Sequence, residues 1–237
     1  MQARKKILVT GTLEDTLASK VAEYHDIDVI PLIAIEPVKN EQLISSIVAL
    51  KERALRVVFT SYNGVKAVWD ILNQKPADWN LYSIEGVTSR SVQEHFGADS
   101  LAATAYTGEE LADEILKDGD ITGVVFFCGD LRRDELPERL RSEGVSVTEI
   151  IVYTTVATPV KVEKEYDAIV FFSPSSVYSY AAMNKVPKEA VCFAIGNTTA
   201  NTIKNIVPNK VLIAQPPKKE RVVEMLIEYY NNEPIEK

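Results

Sequence analysis

The chain has 237 residues, of which 46% are hydrophobic and 25% charged, a balance typical of a globular protein with one large domain or two small ones. Its net charge of −8 argues against a nucleic-acid partner, because such proteins carry basic stripes with interleaved aromatic residues. No apolar run approaches the roughly 18 residues that span a bilayer, and no signal peptide precedes the first strand pattern. We therefore expect a cytoplasmic protein that binds neither nucleic acid nor membrane.

Short apolar runs alternate with helical periodicity along the chain, which is typical of a doubly wound α/β fold with parallel sheets. The predicted strands are 6–10, 27–35, 56–60, 81–85, 122–127, 145–155, 168–173, 191–195 and 210–214. The predicted helices follow Gly11 and Ser61 and occupy 40–52, 108–117, 131–143 and 217–231. The last residues, 231–237, are expected to fray.

The second half of the chain repeats patterns of the first half. The segment VFFSPSSV at 170–177 resembles VFTSYNGV at 58–65, and each apolar run ends in a serine followed by turn-forming residues and a helical pattern. ILVTG at 7–11 and VVFFCGD at 124–130 form a second such pair. Two similar halves would each place hydroxyls at the carboxyl ends of strands, where open α/β sheets bind ligands.

Two extended apolar stretches divide the chain into lobes. DVIPLIAIEP at 28–37 and VTEIIVYTTVATP at 147–159 are β-branched and each ends in a proline, which suits a pair of strands crossing between lobes. We predict one continuous lobe and one discontinuous lobe, with a ligand cleft between them. The predicted boundaries are 38–151 for the continuous lobe, 1–30 plus 160–237 for the discontinuous lobe, and 31–37 and 152–159 for the crossing strands.

Several kinds of chemistry are disfavoured. The only histidines, His25 and His95, are far apart, lack carboxylates or cysteines at ligand spacing, and are expected on the surface, so neither a metal site nor a Ser-His-Asp triad is predicted. No G-x-G-x-x-G or G-K-[ST] motif is present. Cys128 and Cys192 lie in apolar strands and are expected to be buried and reduced. We therefore expect no metal and no cofactor.

The remaining candidates are hydroxyls at strand ends and helix starts, together with one glycine and one tyrosine. Each hydroxyl could serve only as a helix N-cap, but their recurrence in both halves favours a shared binding role for several of them. Tyr153 could be a packing residue, or its hydroxyl could donate a proton in the cleft. Gly196 would let the backbone approach a ligand. The hydroxyl candidates are Thr10, Ser61, Thr88, Ser89, Ser173, Ser175, Ser176, Thr198 and Thr199.

Six segments in order resemble the uroporphyrinogen-III synthase family over nearly the whole chain. They are ILVT, PLIAIEPV, VVFTSYNGV, FCGDLRRDELPERLRSEGVSVTEIIVYTT, FFSPSSV and AIGNTTA. The resemblance implies two α/β lobes joined by a two-stranded ladder, with the active site in the cleft. It also implies a cofactor-independent lyase that cyclises hydroxymethylbilane, a linear tetrapyrrole, to uroporphyrinogen III in heme biosynthesis. Hydroxide loss and a spiro intermediate would invert the last pyrrole ring, and we expect the enzyme to be a monomer.

The resemblance also implies roles for individual residues. Tyr153 looks like the family's cleft tyrosine and is the catalytic candidate, because it could assist loss of the substrate hydroxyl. Ser61, Ser173 and Thr199 resemble the family's cleft hydroxyls. The full predicted substrate-binding set is Thr10, Ser61, Thr88, Ser89, Ser173, Ser175, Gly196, Thr198 and Thr199.

Two positions depart from the family pattern. Gly11 stands where the family often has arginine, so a basic contact to substrate is absent there. Both Thr88 and Ser89 fit the family's G-x-x-T corner, one by residue type and the other by spacing from Gly86, and the choice between them stays open.

Two other functions compete with this interpretation. One is a non-catalytic two-lobed protein that binds or senses a small anion with the same architecture. The other is a nucleotide-dependent α/β enzyme, which the missing glycine fingerprint disfavours.

Overall fold

The computed structural model describes residues 3–231. Its strands are β1 (Lys6–Val9), β2 (Asp26–Val29), β3 (Ile33–Pro37), β4 (Leu55–Phe59), β5 (Trp79–Ile84), β6 (Leu101–Ala105), β7 (Gly123–Gly129), β8 (Ser146–Ala157), β9 (Ala168–Phe171), β10 (Val191–Ala194) and β11 (Val211–Ile213). Its helices are α1 (Asp15–Ala22), α2 (Glu41–Leu50), α3 (Tyr62–Ile71), α4 (Val87–Phe96), α5 (Gly108–Leu116), α6 (Glu135–Ser142), α7 (Pro174–Ala181), α8 (Asn197–Ile206) and α9 (Lys219–Asn231). The fraying predicted for 231–237 falls, apart from Asn231 itself, on residues outside the described range.

The chain divides into two compact units. Unit 1 contains residues 1–34 and 156–237, and unit 2 contains 35–155. The divisions fall inside β3 and β8, which are neighbours in one sheet. The Val38 N–H donates to the Val152 carbonyl, and the Thr158 N–H donates to the Leu32 carbonyl, so these two segments run antiparallel.

Unit 1 is built on a five-stranded sheet of order β11-β10-β9-β1-β2, in which every neighbouring pair is parallel. Side chains alternate across β1: Ile7 and Val9 join a core with α1 and α9, whereas Leu8 joins a core with α7 and α8. Both faces of the sheet are therefore covered, as parallel strands require.

Unit 2 is built on a six-stranded sheet of order β3-β8-β7-β4-β5-β6, parallel from β8 to β6. On β4, Val57 and Phe59 face a core with α2, α3 and α4, and Val58 faces a core with α5 and α6. The predicted α/β class, with two parallel sheets in a two-lobed chain, is confirmed.

Some predicted elements are wrong in detail. The single strand predicted over 27–35 is two strands, because the chain leaves the five-stranded sheet around Pro31, which has no N–H to donate, and joins the six-stranded sheet as β3. The predicted strands do not include β6, since its sequence LAATA has three alanines, no aromatic residue and Thr104 as its one β-branched residue. Helix α6 begins at Glu135 rather than at 131, and Leu131 is exposed.

Cys128 and Cys192 are both buried and free of disulfide bonds, which confirms the prediction. Burial raises the pKa of Cys128 to about 11 and that of Cys192 to about 12, so both thiols stay protonated. No helix within residues 3–231 combines the length and apolar character needed to cross a membrane.

The prediction of two surface histidines is wrong for His25. Its side chain is buried, with its ring edge-on to Tyr230 at 5.5 Å, because the chain turns there from α1 into β2 beneath α9. Neither imidazole nitrogen of His25 has a hydrogen-bond partner within the described residues. His95 is half-buried and stacks on Trp69.

Burial of His25 makes the stability of unit 1 depend on pH. Burial lowers the pKa of His25, and the positive charges of Arg4 and Lys5 lower it further, against smaller opposing effects of Asp26 and Asp167. As the pH falls through the unfolded-state value of about 6.5, the unfolded chain gains a proton that the folded chain does not, so folding weakens. The loss approaches about 1.4 kcal/mol per pH unit for one proton and stops below the folded-state pKa.

His25→Phe should therefore remove this part of the pH dependence between pH 8 and 5. Urea unfolding, followed by circular dichroism at each pH, would measure the unfolding free energy of the variant and the parent. His95→Gln is the matched control and should keep the parental slope, because His25 remains. Parallel curves for His25→Phe and the parent would contradict the assignment.

Candidate functional site

A cavity of about 560 Å³ lies at the carboxyl edge of the six-stranded sheet of unit 2. Its wall contains Thr60 directly after β4, Ile84 at the end of β5 and Gly129 at the end of β7. Parallel strands bring these ends to one edge, where helix N-termini offer unpaired N–H groups. The complete lining is Thr60, Ser61, Ile84, Tyr106, Thr107, Gly108, Glu109, Phe126, Gly129, Leu131, Arg132, Arg133, Glu135, Leu136 and Tyr153.

Two of the sequence candidates, Ser61 and Tyr153, meet in this cavity. Ser61 is the N-cap of α3, and its Oγ accepts a hydrogen bond from the Asn63 N–H at 3.2 Å. The Tyr153 hydroxyl lies on the same cavity wall, close enough to Ser61 for the serine side chain to affect its pKa. Burial raises the pKa of Tyr153, and a smaller effect of the Ser61 side chain opposes that rise.

The position of Tyr153 depends on Gly129. The register of β7 against β8 shifts after Cys128, so that Gly129 pairs with Tyr153 and the tyrosine ring lies over the glycine. A Cβ at Gly129 would overlap the ring and lie 2.8 Å from the phenolic oxygen. The adjacent Asp130 N–H donates to the Tyr153 carbonyl at 3.3 Å, and the Asp130 carboxylate accepts from the Thr155 N–H at 2.9 Å.

Charged and apolar side chains from the loop after β7 complete the cavity. Arg132 forms ion pairs with Glu149 and Asp134, so its position is fixed. Arg133 is exposed and lines the same wall. Leu131 is exposed there as well.

Sequence reasoning missed Gly129, Arg133 and Tyr106 as cavity residues. Tyr106 is 81% exposed at the rim and follows the unpredicted strand β6. The signal for Gly129 was present in FCGD, a glycine ending an apolar strand.

The two alternatives at the G-x-x-T corner are both buried. The Ser89 hydroxyl accepts from the Gly86 N–H at 3.1 Å and donates to the Gly86 carbonyl at 3.2 Å, so it closes the first turn of α4. Thr88 is 7% exposed. Neither residue lines the cavity with Ser61 and Tyr153.

The other candidates lie at the carboxyl edge of the five-stranded sheet in unit 1. Ser173 caps α7, and its Oγ accepts from the Ser176 N–H at 3.2 Å. Gly196 is the N-cap of α8 in extended backbone and supplies no side-chain cap, so the N–H groups of the first turn lack a hydroxyl partner. Because β9 and β10 are adjacent and parallel, these two helix starts lie at one edge of the sheet.

The remaining candidates of unit 1 differ in accessibility. Thr198 is exposed and Ser175 is half-buried, whereas Thr199 is buried. Thr10 is fully buried, and both its N–H and its hydroxyl donate to the Val170 carbonyl, at 3.0 and 2.8 Å. The structure therefore assigns Thr10 to holding β1 against β9, and we leave it out of the proposed site.

Gly11 is enclosed by an aromatic ring. A Cβ at this position would lie 2.9 Å from Cδ2 of Phe172, so no larger side chain fits without moving that ring. The Lys219 ammonium group lies 5.5 Å from the centre of the same ring and pairs with Glu14 at 3.2 Å. An arginine at position 11 would therefore require the Phe172 ring to move.

Within residues 3–231, no cluster of three or more histidine, cysteine or acidic side chains could hold a metal ion.

Comparison with known proteins identifies the relatives of this chain. The family model described as HEM4, uroporphyrinogen-III synthase HemD, matches residues 15–224. A mutant uroporphyrinogen III synthase from the extremely thermophilic bacterium Thermus thermophilus superposes with a TM-score of 0.65 at 16% identity, covering 96% of this chain and 98% of its own. A uroporphyrinogen-III synthetase from Helicobacter pylori superposes with a TM-score of 0.65 at 18% identity, covering 95% and 99%. At these identities the structural matches establish the fold alone.

Gly129→Ala should displace the Tyr153 ring, because the new methyl group occupies its space. We expect a loss of about 1–3 kcal/mol in unfolding free energy from overpacking. We also expect a lower pKa for Tyr153, since burial is what raises it. Urea unfolding and an alkaline difference titration against Tyr153→Phe would measure both effects.

Gly108→Ala is the matched control for this test. It lies on the same cavity, in the first turn of α5, where an added Cβ would have its nearest neighbour at an ordinary 3.4 Å. This variant should keep the parental stability and tyrosine titration. A Gly129→Ala protein that is equally unchanged would refute the steric dependence of Tyr153 on Gly129.

Proposed function

Since the chain belongs to the uroporphyrinogen-III synthase family of tetrapyrrole biosynthesis, we propose that it cyclises hydroxymethylbilane to uroporphyrinogen III as a cofactor-independent lyase. The observation that carries the proposed chemistry is the placement of the Tyr153 hydroxyl beside Ser61 in the unit 2 cavity. It provides a neutral proton donor at the carboxyl edge of a parallel sheet.

In the proposed arrangement Tyr153 is the donor to substrate. The Asn63 N–H donates to Ser61 Oγ, and we propose that the Ser61 hydroxyl in turn donates to the phenolic oxygen of Tyr153. The phenolic proton is then free to point into the cavity. Because burial keeps the pKa of Tyr153 above its ordinary value of 10.0, this proton is present at neutral pH.

The reaction needs only modest acid strength. In the proposed first step the C–O bond of the hydroxymethyl group breaks, the oxygen takes the proton of Tyr153, and water leaves. The pyrrole nitrogen lone pair stabilises the resulting azafulvenium cation. The last ring then attacks through its substituted carbon to give a spiro intermediate, which reopens and closes with that ring inverted. The proton lost on final rearomatisation restores Tyr153, so the net products are uroporphyrinogen III and one water.

Orientation of the flexible bilane is the larger part of the proposed catalysis. The acetate and propionate groups of the substrate need donors, and in the unit 2 cavity the exposed guanidinium of Arg133 is one. The exposed apolar side chain of Leu131 offers a surface for a pyrrole ring. Ser173, Ser175, Thr198 and Thr199 remain proposed substrate contacts at the edge of the five-stranded sheet.

The first test is the isomer composition of the product. The purified protein, supplied with enzymatically generated hydroxymethylbilane and no metal or nucleotide, should yield mainly the type III isomer. Chromatographic separation of the oxidised type I and type III porphyrins would measure this. Formation of only the spontaneous type I product by the folded protein would instead favour a non-catalytic anion-binding protein. A requirement for added nucleotide would favour the nucleotide-dependent alternative.

Tyr153→Phe should lower kcat while leaving KM and the unfolding midpoint close to the parental values, because it removes only the donated proton. General acid assistance contributes about 10²–10⁴-fold, which sets the largest loss expected. Ser61→Ala should lower kcat less, since it removes the group that orients the phenol.

Tyr178→Phe is the matched control, because Tyr178 is exposed on α7, outside the unit 2 cavity. It should retain the parental kcat. Equal rates for Tyr153→Phe and the parent would return Tyr153 to a packing role.

A further inference from the structure

Unit 1 contains a second cavity, larger than the first, with a volume of about 740 Å³. It lies between α7 and α8 and the segments that follow them. Its lining is Phe171, Val177, Tyr180, Ala181, Asn184, Lys185, Val186, Lys188, Ile203, Ile206, Val207, Pro208 and Asn209. The size is within the range of small-molecule sites in proteins, about 300–1,000 Å³.

This cavity is separate from the candidate residues of unit 1. Ser173 and Gly196 stand at the N-termini of α7 and α8, whereas the cavity is reached at the C-terminal ends of those helices, around Ala181 and Ile206. The lining extends along α7 as far as Val177, one helical turn after Ser173, and contains none of the candidate hydroxyls or Gly196. The cavity is therefore lined by residues other than the proposed substrate contacts.

The walls of the cavity are fixed by side-chain amides. Asn184 accepts from the Val162 N–H at 2.8 Å and donates to the Val160 and Tyr180 carbonyls. Asn209 donates to three carbonyls of the segment before β10, those of Pro187, Lys188 and Ala190. Because these bonds tie both loops down, the cavity is preformed, which lowers the entropic cost of binding.

The lining indicates the chemistry of the ligand. Most of it is aliphatic, and Ile206 keeps 39% of its surface exposed. Its charged side chains are Lys185 and Lys188, and no carboxylate of the described residues lines it, although the whole protein carries a net charge of −8. The Tyr180 hydroxyl is already used, since it donates to the Lys185 carbonyl at 3.3 Å.

We propose that this cavity binds an amphipathic organic anion, with the apolar body between α7 and α8 and the carboxylate at Lys185 and Lys188. The two ammonium groups also compensate the partial negative charge at the helix C-termini, so without them an anion there would be repelled. The proposal is independent of the proposed cyclisation, because it concerns other residues and is tested by binding alone.

Three probes that share a ten-carbon alkyl chain or backbone separate the contributions of charge and apolar surface. Decanoate, decanol and decyltrimethylammonium would be titrated into the full-length protein below their critical micelle concentrations, with isothermal titration calorimetry as the readout. Decanoate should bind in one-to-one ratio and at least about tenfold more tightly than the other two, since it alone carries a carboxylate that can form charge-assisted hydrogen bonds with the two lysines. Equal binding of decanol, tighter binding of the cation, or no saturable decanoate binding would overturn the proposal.

Two substitutions with matched controls locate the site. Lys188→Glu and Ile206→Glu each place a carboxylate at the cavity and should weaken decanoate binding by about tenfold or more. Lys204→Glu changes the same charge on α8 outside the lining, and Val48→Glu changes an equally exposed apolar residue on α2. Both controls should bind decanoate as the parent does. Equal weakening by controls and test variants would show that net charge, and not this cavity, governs binding.

Discussion

Burial of both faces of each parallel sheet is the constraint on which the rest of the structure depends. Val57 and Val58 are adjacent on β4 and point to opposite cores, as Ile7 and Leu8 do on β1. Because helices cover both faces of each sheet, the polar groups at strand ends and helix starts lie at the edges of the sheet. At the carboxyl edges these groups include the serines and threonines found in both halves of the chain.

The same edge positions give different chemistry according to what each hydroxyl bonds. The Thr10 hydroxyl donates to the Val170 carbonyl, and the Ser89 hydroxyl bonds both the N–H and the carbonyl of Gly86. Ser61 caps α3 through its oxygen and also lines the cavity with Tyr153. A role as helix cap and a role in the cavity are therefore not exclusive alternatives, because a hydroxyl can accept and donate at once.

Much of the fold could be predicted from the sequence because strands such as Ala168–Phe171 are short apolar runs bounded by clear turn signals. The exceptions have local causes. Strand β6 is alanine-rich and is paired only along β5, so its sequence carries little strand preference. The burial of His25 depends on Tyr230, which lies at the far end of the chain, and no local sequence pattern predicts that contact.

The hydroxyl residues of the candidate site could likewise be predicted from the sequence, but their geometry could not. The meeting of Ser61 with Tyr153 requires the register shift between β7 and β8 and the missing side chain at Gly129, and periodicity within one strand contains neither.

The chemistry proposed for the unit 2 cavity suits a site without strong acids. A carboxylic acid held protonated at neutral pH would need deep burial, whereas a phenol is protonated there without help. Burial of Tyr153 raises its pKa and so strengthens that preference, whereas the nearby Ser61 side chain lowers the pKa, so the phenol is a better acid than burial alone would leave it. Since the substrate's own pyrrole nitrogen drives departure of the hydroxyl, a weak and well-placed donor is sufficient. The steric contact with Gly129 is then what matters most, because it fixes where that donor stands.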